Sequence, residues 1–314
     1  WSWTQPRLVT ETLGPKALSV VRSHVTWNLV DDWHQLVQYD FMRHALLAGG
    51  IAAVLCGAVG CFVVLRGLSF ATDTLTHVGF AGASGAVVIG LSPVAGLLGL
   101  TALMAVALGA LEQRLRGRDV VIGMILVLTL GLGLFFLRLY RGYSNETYAL
   151  LFGSILALSP RDVVVVAVGA AIALAALAAI FRPLLFASLD EQLAEARGVP
   201  VRAVATAFLL VLAVAVTAAT QVIGALLAVA LLIAPGATAQ RLTTRPAAWL
   251  LLSVAIALGV TWTGLALAFW QPYPASFFIT SLSTLTYLAV RLVTAGAGLS
   301  RLRPAMRPAP AAEG

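Results

Sequence analysis

Asp73 and His77 are the two side chains in this sequence whose types and spacing most clearly suggest chemistry. They lie in the run Ser69-Phe70-Ala71-Thr72-Asp73-Thr74-Leu75-Thr76-His77, and no other ionisable residue occurs between Leu68 and Leu91. Four residues apart on a helix, they share one face, one turn apart. A carboxylate and an imidazole so placed form a two-ligand half-site for a divalent cation. The same pair could instead form a mutual hydrogen bond that neutralises both groups, and spacing leaves the two readings open. Two ligands are too few to hold a metal against its hydration shell. A second copy across a twofold axis would complete a set of two Asp and two His, an N/O donor set suited to Zn or Mn rather than to a soft thiophilic ion. Thr72, Thr74 and Thr76 would make the surroundings polar, as in a water-lined cavity. Gly79, Gly82 and Gly85 recur every three residues, a spacing that lets helices approach closely.

The elements that carry this pair belong to a membrane protein. Of 314 residues, 60% are hydrophobic and 11% charged, against roughly 45–50% and about 25% in soluble domains. The apolar residues fall in blocks of about 20, the length that crosses a bilayer core. The expected fold is all-α and polytopic, with about eight to nine transmembrane helices. Spans are expected at 45–65, 68–91, 94–111, 120–137, 163–181, 203–220, 221–240, 247–270 and 277–292. Residues 147–158 are apolar but short, which suits a re-entrant or interfacial helix. The chain divides into an N-terminal interfacial or extracytoplasmic segment (1–40), a transmembrane domain (41–296) and a disordered cytoplasmic tail (297–314). Within 1–40, Trp1, Trp3, Trp27 and Trp33 among mixed charges suit a surface-lying segment in contact with lipid, and no cleavable-signal pattern precedes Ala45. Inside the membrane domain a charge costs at least about 2.5–3.5 kcal/mol near the bilayer centre, so Asp73 demands a reason.

Nine spans place the termini on opposite sides. With the N-terminus outside and the C-terminus in the cytoplasm, Arg66, Arg114, Arg116, Arg118, Arg182, Arg197, Arg202, Arg241, Arg245 and the tail arginines face inward, as the positive-inside rule prefers. The net charge of +7 therefore reads as topology. Nucleic acid is not an expected partner, because no soluble domain carries a basic face.

Other motifs are simpler. The loop from Ser188 to Arg202 reads as a short cytoplasmic helix. Ser188 or Asp190 would cap it, Glu191 suits its first turn, and Gly198 with Pro200 would end it. Pro235, followed by Gly236, should break or bend its span, and broken helices both line transport pathways and occur for packing alone. Cys56 and Cys61 lie about 140° apart around one helix, so they neither pair nor share a metal and read as small buried residues. Asp31, Asp32 and His34 could collect metal at the outer face, but read first as a solvated polar face.

Three blocks in order carry a resemblance. Leu65-Arg66-Gly67-Leu68-Ser69 through Asp73 and His77 to Gly82 resembles the second-span motif of the membrane subunits of zinc/manganese/iron ATP-binding-cassette importers. The loop Asp190 to Arg202 resembles that family's coupling segment. Gln221-Val222-Ile223-Gly224-Ala225-Leu226-Leu227 through Pro235, Ala237, Thr238 and Ala239 is similar to its penultimate block. Phe41-Met42-Arg43 resembles the family's entry into its first span, and the likeness covers roughly residues 40–295. It implies an all-α permease working as a dimer, likewise a homodimer here, in the bacterial cytoplasmic membrane. The family's metal ligands fall on Asp73 and His77, and contact with a cytoplasmic ATP-binding-cassette ATPase on Asp190, Glu191, Ala194, Arg197 and Gly198. Gating at the helix break falls on Pro235 and Gly236, and an extracytoplasmic metal-binding protein would deliver the ion. No permanently bound cofactor is implied; Zn2+, or secondly Mn2+, is cargo. The family's usual Gly before the Asp and Pro four residues after the His are replaced here by Thr72 and Ala81, which puts the local helix bend, and with it ion preference or gating, in question.

The chain has no Gly-x-x-x-x-Gly-Lys-Ser/Thr phosphate loop, so it is expected to be a transport subunit and not the ATPase. An intramembrane zinc peptidase would need a His-Glu-x-x-His motif, and an aspartyl one a second membrane carboxylate; neither is in the sequence. An ion-coupled carrier could use Asp73 and His77 as a relay. A permease for chelated iron or a vitamin would want a wide, largely uncharged channel.

Overall fold

The computed structural model describes residues 38–111, 118–139, 153, 155, 158–225, 228–271 and 273–302. The N-terminal segment with its tryptophans, Asp31, Asp32 and His34, the arginines Arg114 and Arg116, most of 147–158 and the end of the tail lie outside the described residues. Ten α-helices account for nearly all the rest: α1 (Asp40–Leu65), α2 (Ser69–Val88), α3 (Pro93–Leu111), α4 (Arg118–Leu139), α5 (Pro160–Leu189), α6 (Glu191–Ala196), α7 (Val201–Ile223), α8 (Ala228–Leu242), α9 (Pro246–Trp270) and α10 (Ala275–Leu302). No strand occurs among the described residues.

Local signals set several helix ends. Ser159 and Asp162 form a capping box before α5, with Pro160 in the first turn, where its missing N–H costs no hydrogen bond. Gly67, at φ +65°, lets the chain turn from α1 into α2: the Leu68 N–H returns to the Val63 carbonyl at 2.8 Å and the Gly67 N–H to Val64 at 3.2 Å. A left-handed residue at a helix end is the usual place for glycine.

Seven helices, α1, α3, α4, α5, α7, α9 and α10, are long and apolar enough to cross a membrane, which makes this a multi-pass membrane protein. Two more segments that the sequence reads as spans differ in kind. α2 has 20 residues, about 30 Å at 1.5 Å per residue, but its threonines and the Asp73/His77 pair dilute its apolar character. α8 has 15 residues, about 22 Å, less than the roughly 30 Å hydrocarbon core. The boundary expected between 220 and 221 lies instead at Gly224, whose φ of +94° with an extended ψ ends α7. Pro235, where a break or bend was anticipated, does not end its helix: α8 runs through it to Leu242. Tertiary contacts on both sides hold that turn helical although Pro235 cannot donate to the Leu231 carbonyl.

More than two thirds of α1 and α7 is buried, against a third or less of α3, α4, α5, α9 and α10. α1 packs against α5, α7, α8 and α9, while α2 packs chiefly against α3 and α4 and scarcely touches α1, its neighbour in sequence. α7 joins the two groups through α3. At the centre of the first group, Phe62 of α1 meets Phe181 of α5 edge-on at 5.6 Å and Phe208 of α7 at 5.9 Å. Cys56 and Cys61 are buried and free.

Candidate metal site and coupling helix

The site grows from α2. Asp73 stands one turn from its N-terminal end and His77 about 12 Å along it, so the pair occupies the N-terminal half of the helix. From 71 to 84, every residue of α2 is buried except Asp73 and His77. Their side chains are 38% and 13% exposed, and His77 Nε2 lies 3.7 Å from Asp73 Oδ1. That exceeds a hydrogen bond, so the mutual bond that would neutralise the pair is not made. It is short enough for one ion to lie about 2.1 Å from both atoms. The second ring nitrogen, His77 Nδ1, is buried and meets no hydrogen-bond partner among the described residues.

The surroundings differ from the sequence reading in two respects. The threonines do not line a wet cavity. Thr72 donates to the Leu68 carbonyl at 2.9 Å, Thr74 to Phe70 at 3.0 Å and Thr76 to Thr72 at 2.7 Å; all three are wholly buried. A buried hydroxyl with no other partner satisfies itself on its own helix. The glycines pack within the chain, on the face of α2 away from Asp73 and His77. A Cβ on Gly79 would touch Leu97 and Thr101 of α3, one on Gly82 would collide with the Gly96 carbonyl, and one on Gly85 would touch the Phe136 ring of α4. The small-residue face therefore holds α2 to α3 and α4, and leaves the pair on the opposite face, with Asp73 part-exposed and His77 mostly buried.

No cluster of three or more His, Cys, Asp or Glu occurs among the described residues. Within these residues Asp73 and His77 supply two donor atoms 3.7 Å apart.

The other expected site residues lie elsewhere and do not form one site with this pair. At α6, Asp190 is the cap: its Oδ1 accepts from the Leu193 N–H at 2.9 Å. Ser188 instead donates to the Leu184 carbonyl within α5. Gly198, at φ +81°, ends the helix, with the Val199 N–H on the Ala194 carbonyl at 3.0 Å. Ala194 is fully buried with Ala187 and Val201, so it anchors α6 to its neighbours. Glu191, Arg197 and Gly198 are exposed, as are Leu189 and Leu193, at 68% and 46%, which leaves a mixed charged and apolar face free. Pro235 and Gly236 are buried in α8, which packs against α2 as well as α1.

The sequence reading missed Trp249 and Ser253 of α9. The Trp249 Nε1–H donates to the Gly236 carbonyl at 3.0 Å, and the Ser253 hydroxyl donates to the Gly57 carbonyl at 2.7 Å. Their sequence signal is faint: a tryptophan and a serine one turn apart at the start of an apolar span.

Comparison with known proteins agrees with this architecture. Over 219 residues, 69% of this chain and 75% of the relative, the sequence is 34% identical to the manganese transport system membrane protein MntC of Halalkalibacterium halodurans. It is 27% identical to the high-affinity zinc uptake system membrane protein ZnuB of Haemophilus influenzae, over 66% of this chain and 80% of that one. Among solved structures, PsaBC from Streptococcus pneumoniae in complex with Fab superposes with a TM-score of 0.76 at 26% identity, covering 83% of this chain and 95% of that one. Residues 38–294 match the ABC 3 transport family, and the chain belongs to that family.

Proposed function

We propose that this chain is the permease subunit of an ATP-driven importer, and that Asp73 and His77 from two copies bind a bare divalent transition-metal ion on its way through the membrane. The observation that carries the reading is the pair itself: the two positions that keep some exposure in a buried stretch of α2, with donor atoms 3.7 Å apart. A membrane carboxylate exposed in this way would be costly without a task. A second copy laid against the face that carries the pair brings the donors to four and removes that face from lipid.

Hard oxygen and imidazole donors without a thiol accept Zn2+, Mn2+ and Fe2+ alike. Zinc is the first choice and manganese the second: affinity order favours zinc over manganese, and competition between the two should rank them so. Family relatives named for manganese and for zinc are consistent with both. Deprotonated Asp73 and neutral His77 are the binding forms, so acidification weakens binding as protons compete for the same atoms.

Hydrolysis belongs to a separate cytoplasmic ATPase docked on the exposed face of α6, and an extracytoplasmic metal-binding protein delivers the ion. With the N-terminus outside, α6 and the arginines Arg182, Arg197, Arg202, Arg241 and Arg245 all face the cytoplasm, as the positive-inside rule favours. ATP-driven motion enters through α6, alternates access at α2, and releases the ion inward.

The test is metal uptake into vesicles holding the permease with its ATPase, comparing the unsubstituted chain with Asp73→Ala and His77→Ala. Both variants should fall to background, with uptake normalised to assembled protein because the His77 side chain is only 13% exposed and its removal also loosens packing. Unchanged uptake in both variants rules out the site. Competition by chelated iron but not by free Zn2+ or Mn2+ rules out a bare ion, and uptake that persists without the ATPase identifies an ion-coupled carrier.

A further inference from the structure

The place where α1, α8 and α9 cross has a construction that packing alone does not require. Gly60 of α1 receives the Leu232 carbonyl of α8 so closely that a Cβ there would collide with it, and a Cβ on Gly236 would stand 2.7 Å from the Gly60 carbonyl. Two helix backbones therefore touch at the turn that contains Pro235. That turn is the weak point of α8, since Pro235 cannot donate to the Leu231 carbonyl. α9 spans the crossing with directional bonds. From Trp249, Nε1–H reaches the Gly236 carbonyl on α8 at 3.0 Å, and its own carbonyl lies 3.8 Å from Cys61 Sγ on α1. One turn on, the Ser253 hydroxyl holds the Gly57 carbonyl of α1 at 2.7 Å. Trp249 is 7% exposed and Ser253 fully buried, so neither bond competes with water.

Both bonds end on backbone carbonyls, so they fix helix against helix and do not depend on partner side chains. α8 also packs against α2, the helix that carries Asp73 and His77. With the bonds in place, α8 moves together with α1 and α9. Without them, the proline turn keeps only packing contacts, chiefly with α1 and α10.

We propose that Trp249 and Ser253 are positioning residues for transport: their bonds lock the proline turn of α8 to α1 and α9, so that α8 shifts against α2 as part of a rigid body and each ATP cycle moves the ion instead of flexing α8. The proposal rests on the transport reading above, and it names a mechanical part that the metal pair does not contain.

Trp249→Phe removes the indole N–H and keeps most of the volume. In vesicles with the assembled transporter and Zn2+ or Mn2+ as the probe, it should lower the metal ions moved per ATP hydrolysed. The expected drop is about three- to tenfold, the factor that a lost interhelical hydrogen bond of ordinary strength represents. The metal concentration for half-maximal uptake should stay unchanged, because Asp73 and His77 are untouched. Ser253→Ala should act in the same direction. A residue that serves only folding would lower the amount of assembled complex and leave the ratio per complex intact, and that result overturns the proposal. A direct readout needs no transport: spin labels at exposed Gln240 of α8 and Leu251 of α9 should give one narrow distance in the unsubstituted chain and a broadened one in Trp249→Phe. A distribution that stays narrow overturns the lock even if the cargo assignment is right. Broadening in a protein that takes up no metal keeps the lock and rejects the transport reading.

Discussion

Two helix crossings in this protein are built on glycine, and they are built differently. At α2 against α3, Gly82 and Gly96 bring backbone onto backbone, with Leu97 and Thr101 around Gly79 filling the flanks. The Thr101 hydroxyl there donates to carbonyls of its own helix, so van der Waals packing carries the contact. At α1 against α8, Gly60 and Gly236 make an equally close approach, but α9 adds hydrogen bonds from Trp249 and Ser253 across three helices. In a membrane, helices gain no hydrophobic driving force from association and rely on close packing and interhelical hydrogen bonds. Where the helix is regular, packing suffices. Where a proline leaves a carbonyl without its donor, directional bonds supply the missing constraint. The first crossing presents Asp73 and His77; the second holds a weakened helix in place.

Substitutions at each crossing should separate these roles. The largest effect is expected from Gly60→Val, whose side chain meets a backbone carbonyl that cannot step aside. The cost should reach at least the upper end of the overpacking range, about 3 kcal/mol, seen as loss of assembled protein or early thermal unfolding in detergent. Gly82→Ala places one carbon against the Gly96 carbonyl and pushes α2 outward. It should alter the metal affinity of the Asp73/His77 face more than the ratio of ions to ATP, and an opposite ranking in equilibrium binding and vesicle uptake would dissolve the contrast. Ser253→Ala should cost about 1 kcal/mol of stability, the worth of one buried hydrogen bond, whereas Thr101→Ala at the other crossing should cost less because its bonds stay within one helix. Away from both crossings, Asp190→Ala removes the cap of α6 and should cost about 1 kcal/mol, read as faster hydrogen exchange of the 191–196 amides. The smallest effect is expected from Gly85→Ala: its nearest contact is the Phe136 ring at 3.2 Å, which can shift, so stability should change by no more than about 0.5 kcal/mol.

Much of this was legible in the residues. Blocks of about 20 apolar residues located the helices because a bilayer permits little else, and Asp73 with His77 stood out because charge is scarce there. The α6 loop was legible too, although Ser188 and Asp190 were equally good caps on paper; Ser188 bonds back into α5 and leaves the cap to Asp190. The end of α7 was misplaced by a few residues because Gln221 looked like a boundary, whereas the helix ends only where Gly224 takes up φ +94°. Pro235 looked like a break, but propensity describes an isolated helix, and contacts with Gly60 and Trp249 keep this one going. The threonines beside Asp73 looked like lining for a cavity, because composition does not reveal whether a hydroxyl faces water or its own helix.

The sequence by itself determined that the chain crosses a membrane repeatedly, which carboxylate and imidazole share a face, and which loop ends in a cap and a glycine. Those features follow from local periodicity and from the cost of burying charge. Only the tertiary structure decided which glycines touch which carbonyls, that the small-residue face of α2 turns toward α3 and α4 while Asp73 stays part-exposed on the opposite face, and that α9 ties α8 to α1. Those contacts join separate helices, from 13 positions apart for Trp249 and Gly236 to 196 for Ser253 and Gly57, and no local pattern encodes a partner that close packing alone selects.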